Sequence, residues 1–324
     1  MKKLTVTLKK IVVSFFAIAF AVAVIPLSQD NIKTANAEEK PAFNITEEMN
    51  DGVKTIRLNN INLIEKSGAS TLKKAKAVDP LNEFAKEHPY GFDIEEARTS
   101  NCVVYQEEVV YASESEGSEE PDYSDRFDDG YLTIYTTAYH KGYTPTKNAR
   151  YLVKGEVVFN KLFKTRLEER LILAHSANGT FDSTGTETGV MSYHASIHNH
   201  SAYVDPPIDE EKDVVKNLKP KYSSMNGVDF AFRWPEDLNL HNGYGGAAKV
   251  DRTEKYTDWH LFGSYYVIAT NDMNVAVTYA HNLKIFSGSL GVSIGVSGAN
   301  VNVTVTPEKQ RRKYDARPLT LYNI

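Results

Sequence analysis

Cysteine is almost absent: Cys102 stands alone in 324 residues, so no disulfide can form within the chain and stability must come from burial. Basic charge is also in deficit. Five of the 37 basic residues and one of the 42 acidic ones fall within residues 1 to 37, which leaves the rest at 32 against 41, a net charge of −9. Such a balance argues against nucleic acid or anionic lipid as the main partner, because both require a basic face. After Pro26 no second long apolar run follows, and behind Arg311-Arg312-Lys313 there is no LPxTG-like sorting signal. A membrane-spanning helix in the mature chain and covalent wall anchoring are therefore not expected. Zinc-hydrolase helices of the HExxH type and internal repeats of fixed period are missing as well.

What is present begins with an export signal. Lys2, Lys3, Lys9 and Lys10 precede an apolar run from Ile11 to Pro26, and Ala35-Asn36-Ala37 closes a small-residue cleavage site. The run has 16 residues, short of the roughly 20 that a span needs. Residues 1–37 are thus expected to be a cleaved signal peptide, the mature protein starting at Glu38 as a secreted, extracellular, soluble chain. Taken with this signal, the stretch Tyr151 to His175, YLVKGEVVFNKLFKTRLEERLILAH, resembles uncharacterised secreted proteins of Gram-positive bacteria. That resemblance implies a bacterial, exported, β-rich protein and attaches no activity.

Residues 38–111 read as a mixed N-terminal segment. A strand is expected around Val53 to Leu58, and a helix from Asp79-Pro80 with Leu81, Phe84 and Ala85 on one face, stopped by His88-Pro89 and Gly91. Another strand is expected from Cys102 to Tyr111. Residues 112–130, rich in Ser, Glu and Asp, read as an acidic linker or loop, and Asp122, Asp125, Asp128 and Asp129 lack the spacing of a calcium loop.

Residues 131–324 read as a β-rich domain. Tyr131, Thr133, Tyr135, Thr137 and Tyr139 alternate with Leu132, Ile134, Thr136 and Ala138. Further strands are expected at 151–159, 170–174, 228–234, 264–270, 274–279 and 283–286, with Asn178-Gly179 as a hairpin turn between 170–174 and 180–182. Ile208 to Leu218 reads as a short helix. Val292, Ile294 and Val296, then Val301, Val303 and Val305, flank a turn at Ser297-Gly298-Ala299-Asn300. The fold class expected is a mainly β, antiparallel sandwich.

Several constellations carry chemistry. In Tyr193 to His200, the histidines His194, His198 and His200 share parity and so one face of a strand, where His198 and His200 could hold a zinc ion at about 2.0 Å each, with His194 or a carboxylate such as Asp205 completing the set. The same alternation describes a solvated sheet face. Tyr131, Tyr135 and Tyr139 form a row suited to ligand stacking if exposed, or to covering a sheet if not. Gly291-Val292-Ser293-Ile294-Gly295 matches G-x-S-x-G without the strand-turn-helix context of a nucleophile elbow, and Ser70 to Lys73 matches S-x-x-K without partner motifs. Alternation over Val292 to Thr306 suits either a sandwich strand pair or a membrane-inserting hairpin. The reading is a non-enzymatic binding or structural protein with an extracellular ligand or protein partner. A metal-dependent enzyme built on the histidines and a β-hairpin pore-former are the alternatives.

Overall fold

The computed structural model describes residues 43–50, 53–60, 80–111, 132–159, 167–201, 206–242, 250–282, 291–298, 300–306 and 311–322. The expected signal peptide, the acidic segment 112–130 with its aspartates, Ser70 to Lys73, Asp79, Tyr131, Asp205 and the strand at 283–286 lie outside these residues. Of the described residues, 72% are strand and 6% helix. In chain order the elements are β1 (Phe43–Asn50), β2 (Val53–Asn60), α1 (Pro80–Glu87), α2 (Ile94–Arg98), β3 (Cys102–Val110), β4 (Leu132–Tyr143), β5 (Ala149–Phe159), β6 (Glu168–His175) and β7 (Gly179–Phe181). There follow β8 (Thr188–Asn199), β9 (Ile208–Leu218), β10 (Pro220–Ser224), β11 (Gly227–Arg233), β12 (Leu238–Asn242), β13 (Val250–Ala269), β14 (Met273–Asn282), β15 (Gly291–Ser297), β16 (Asn300–Thr306), β17 (Arg311–Asp315) and β18 (Leu319–Leu321).

A large antiparallel sheet runs β1-β2-β3-β4-β5-β13-β8-β9, with β7 and β12 also against β13. A second sheet runs β10-β11-β6-β14-β17, with β18 against β14, and β15-β16 pair only with each other. Strands β1 to β3 thus extend the same sheet as β4, and the two sides of the expected 112–130 boundary are hydrogen-bonded neighbours. The main core lies between the sheets. Ile134, Val153, Val157 and Leu261 from the large sheet meet Leu171, Leu173, Phe230 and Val277 from the second.

Close approach of the two sheets rests on glycine. Gly155 on β5, Gly263 on β13 and Gly189 on β8 stand directly opposite one another across three strands. A Cβ at Gly155 would meet Val277 at 2.9 Å, one at Gly263 would meet Leu171 and Leu173 at 2.9 Å, and one at Gly189 would meet Phe230 at 2.5 Å. Side chains of the second sheet occupy the groove that this missing row of Cβ atoms leaves.

The helices cover the other face of the large sheet. Leu81 and Phe84 of α1 and Ala97 of α2 pack with Tyr105, Tyr135, Tyr139 and Leu152. Pro80 opens α1, where its missing N–H is no loss. Asp93 caps α2, its carboxylate accepting from the Glu95 and Glu96 amides at 3.1 Å each. Between them Gly91 takes φ +70° and lies so close to Tyr135 that a Cβ would sit 2.3 Å from the tyrosine's own, so only glycine fits.

Two expectations are corrected. Ile208–Leu218 is a strand, not a helix: β9 pairs along its whole length with β8, and that ladder overrides the helical preference of Glu and Lys. Asn178-Gly179 does turn the chain, yet it does not close a hairpin, because β6 belongs to the second sheet and β7 pairs with β13. The turn carries the chain from one layer to the other.

Cys102 is buried on the core side of β3, and burial pushes its thiol up to about 11. Native protein is expected to be inert to a thiol reagent that reacts at once in denaturant, and reductant should leave the melting temperature unchanged. Rapid native labelling would contradict the burial.

Candidate functional site

Among the described residues, β15-β16 is the one two-stranded sheet that shares no ladder with its surroundings. Its alternation has a structural cause. Val292, Ile294, Val301, Val303 and Val305 all turn toward Ile172, Ala174 and Ala280 on the outer face of the second sheet. Ser293, Gly295, Ser297, Asn300, Asn302 and Thr306 face water. Gly298 supplies φ +56° at the turn, and its carbonyl accepts a hydrogen bond from the Ala177 amide at 3.2 Å. Side-chain packing along one face and this contact at the tip hold the hairpin. The G-x-S-x-G motif lies wholly within β15, with Ser293 on the wet face and no helix following, as the missing elbow context implies.

The outer face of the hairpin β8-β9 holds the histidines. Tyr193 and Ala195 point inward and are buried, which places His194, Ser196 and His198 outward. Register sets His194 opposite Asp213, Ser196 opposite Glu211 and His198 opposite Asp209. His194 bonds Asp213 at 2.8 Å and Glu211 at 2.7 Å. Those two carboxylates, Asp213 first, hold its imidazole above the usual range. His198 Nδ1 lies 2.6 Å from one oxygen of Asp209, His200 Nε2 lies 2.9 Å from the other, and the two rings stack at 3.9 Å. Hydrogen bonds from His200 and then His198 keep the Asp209 carboxyl below its usual range. The expected trio therefore divides: His198 and His200 converge, His194 stands apart with its own acids, and the carboxylate that joins them is Asp209.

In the tyrosine row the expected exposure is corrected at Tyr135 and Tyr139, while Tyr131 lies outside the described residues. Tyr135 and Tyr139 lie in the core beneath α1 and α2, and the Tyr139 hydroxyl accepts from the Asp93 amide at 2.7 Å. Both faces of β4 are buried, one by the second sheet and one by the helices, so these rings cannot receive a ligand.

A shallow cleft of about 470 Å³ is lined by Arg150, Lys154, Thr188, Ser264 and Tyr266 among others. Its two cations are already engaged, Lys154 with Asp93 at 2.6 Å and Arg150 with Asp182. Neither is offered to a substrate.

No family model matches the chain, and no curated protein does. Among solved structures, the NetB toxin of Clostridium perfringens in its membrane-inserted form aligns over 67% of this chain and 96% of that one, at 9% identity and a TM-score of 0.26. No described helix is long and apolar enough to cross a membrane.

Proposed function

We propose that this chain is an exported, non-enzymatic protein that binds an extracellular membrane surface and inserts the hairpin β15-β16 into it. One observation carries the reading: among the described residues the hairpin pairs only with itself, and it docks on the second sheet by its apolar face and one backbone hydrogen bond, from Ala177 to Gly298, at its tip. Leaving the sheet would break no ladder to a neighbouring strand among the described residues. In a bilayer the same valines and Ile294 would face lipid while the serines, asparagines and threonines lined a water-filled lumen. Each strand has 7 residues, short of the roughly 9 to 11 that a span requires. On the β15 side the sequence supplies the remainder, since Phe286, Leu290, Val292, Ile294 and Val296 keep one parity against Ser287, Ser289, Ser293 and Ser297, whereas β16 is followed by the polar Pro307-Glu308-Lys309-Gln310. Exposed strand edges are not tolerated in hydrocarbon, so insertion implies several copies closing a barrel.

Dye-loaded vesicles of neutral and anionic lipid test the proposal. Mature protein is expected to release dye. Val292→Lys, which puts a charge on the lipid face at a cost of about 2–4 kcal/mol per chain, should abolish release. Ser293→Lys on the opposite face should preserve it, with near-ultraviolet circular dichroism confirming that both variants fold. Absence of release from either vesicle type, or equal loss in the two variants, would overturn the reading.

A further inference from the structure

We infer that His198, His200 and Asp209 form a surface site for a single zinc-class divalent cation, at the end of β8-β9 where the two strands are joined and separate from β15-β16. Every donor is fixed by backbone pairing. His198 and Asp209 are direct cross-strand partners, and the His200 amide donates to the Asp251 carbonyl of β13 at 2.8 Å. One ligand atom from each of the three lies within 4.8 Å of the others. Tetrahedral zinc with ligands at about 2.0–2.1 Å sets them roughly 3.3 Å apart, so small side-chain rotations suffice. Two imidazoles and one carboxylate suit zinc and its borderline neighbours, while calcium and magnesium prefer an all-oxygen set.

Several features favour a cation over a simple hydrogen-bonded trio. Asp209 already offers one oxygen to each ring, and an ion placed among the three would take over both contacts. The rings stack at 3.9 Å and 28°, so their nitrogens converge on the same carboxylate. Around them the face is acidic, with Glu211 and Asp213 farther along β9 and Asp251 on β13, a field that draws cations. The three ligands are exposed enough for entry and leave one coordination position for water. Bound there, the ion would tie the ends of β8 and β9 across the segment that joins them.

Isothermal titration of untagged mature protein with zinc chloride tests this. One ion per chain is expected, removed by chelator, with no uptake of calcium or magnesium. Loss of an outer-shell partner alone typically weakens a metal site about ten- to a hundredfold, so Asp209→Asn and the His198→Gln, His200→Gln double variant should each lose at least about tenfold. His194→Gln should bind as the wild type does. Cadmium NMR supplies an independent reading, with a shift in the nitrogen-oxygen range that vanishes in the double variant. No saturable uptake, uptake unchanged in the variants, or an equal loss in His194→Gln would overturn the inference.

Discussion

Arg170→Met is expected to lower the unfolding free energy by about 3–5 kcal/mol, because it takes the guanidinium away from a buried carboxylate, Asp229. In the wild type the guanidinium and Asp229 meet at 2.6 Å, with 2% and 0% of their side chains exposed. Arg170 also reaches Glu168 at 2.9 Å, a partly exposed acid that tolerates the loss. Removing both charges should behave differently from removing one. In the double variant Arg170→Met, Asp229→Leu neither charge of the pair remains to be buried, so most of the lost stability should return. Urea melts of the three proteins decide the matter. A single-variant loss below about 1 kcal/mol, the range of exposed pairs, would mean that water reaches the pair.

The second large effect is steric. Gly263→Val should cost about 3 kcal/mol, the upper end for overpacked cores, since its Cβ alone would come within 3.0 Å of Leu171, Leu173 and Phe230. Relief is hard to find there. Its cross-strand neighbours Gly155 and Gly189 are filled by Val277 and Phe230 in the same manner, so the second sheet cannot shift away from one position alone. Gly295→Val on the wet face of β15 is the control, with nothing nearer than 3.8 Å, and should stay within about 0.5 kcal/mol. Comparable thermal shifts in the two variants would refute the packing argument.

Where a strand is buried on one face or both, the sequence announced it through β-branched and aromatic residues, as in β4, β5, β11 and β14. Legibility failed where both faces are wet. Strand β9 carries Asp209-Glu210-Glu211-Lys212-Asp213, and an edge strand solvated on both sides has no hydrophobic period to read. The first half of β13 is similarly polar, so only its second half was visible. Missing β9 had a direct consequence for the site: Asp209 enters only through cross-strand register, which no local pattern encodes. Parity did place His194, His198 and His200 on one face with His198 and His200 as the natural pair, but the choice between His194 and a carboxylate for the remaining ligand, and which carboxylate, depended on register. For Tyr135 and Tyr139 the alternation gave the strand but not what covers it. Helix α2 was overlooked although Asp93 and Glu96 have the spacing of a capping pair.

The face beneath β15-β16 is not purely oily. By register Arg170 and Asp229 share the outer side of the second sheet with Ile172, Ala174 and Ala280. A greasy scar left behind by a departing hairpin would glue one molecule to the next. Here the exposed surface would carry an ion pair that water can rehydrate, which returns part of the desolvation cost of holding it dry. On the proposed reading, the same pair that makes the docked form sensitive to mutation would keep the vacated face wettable.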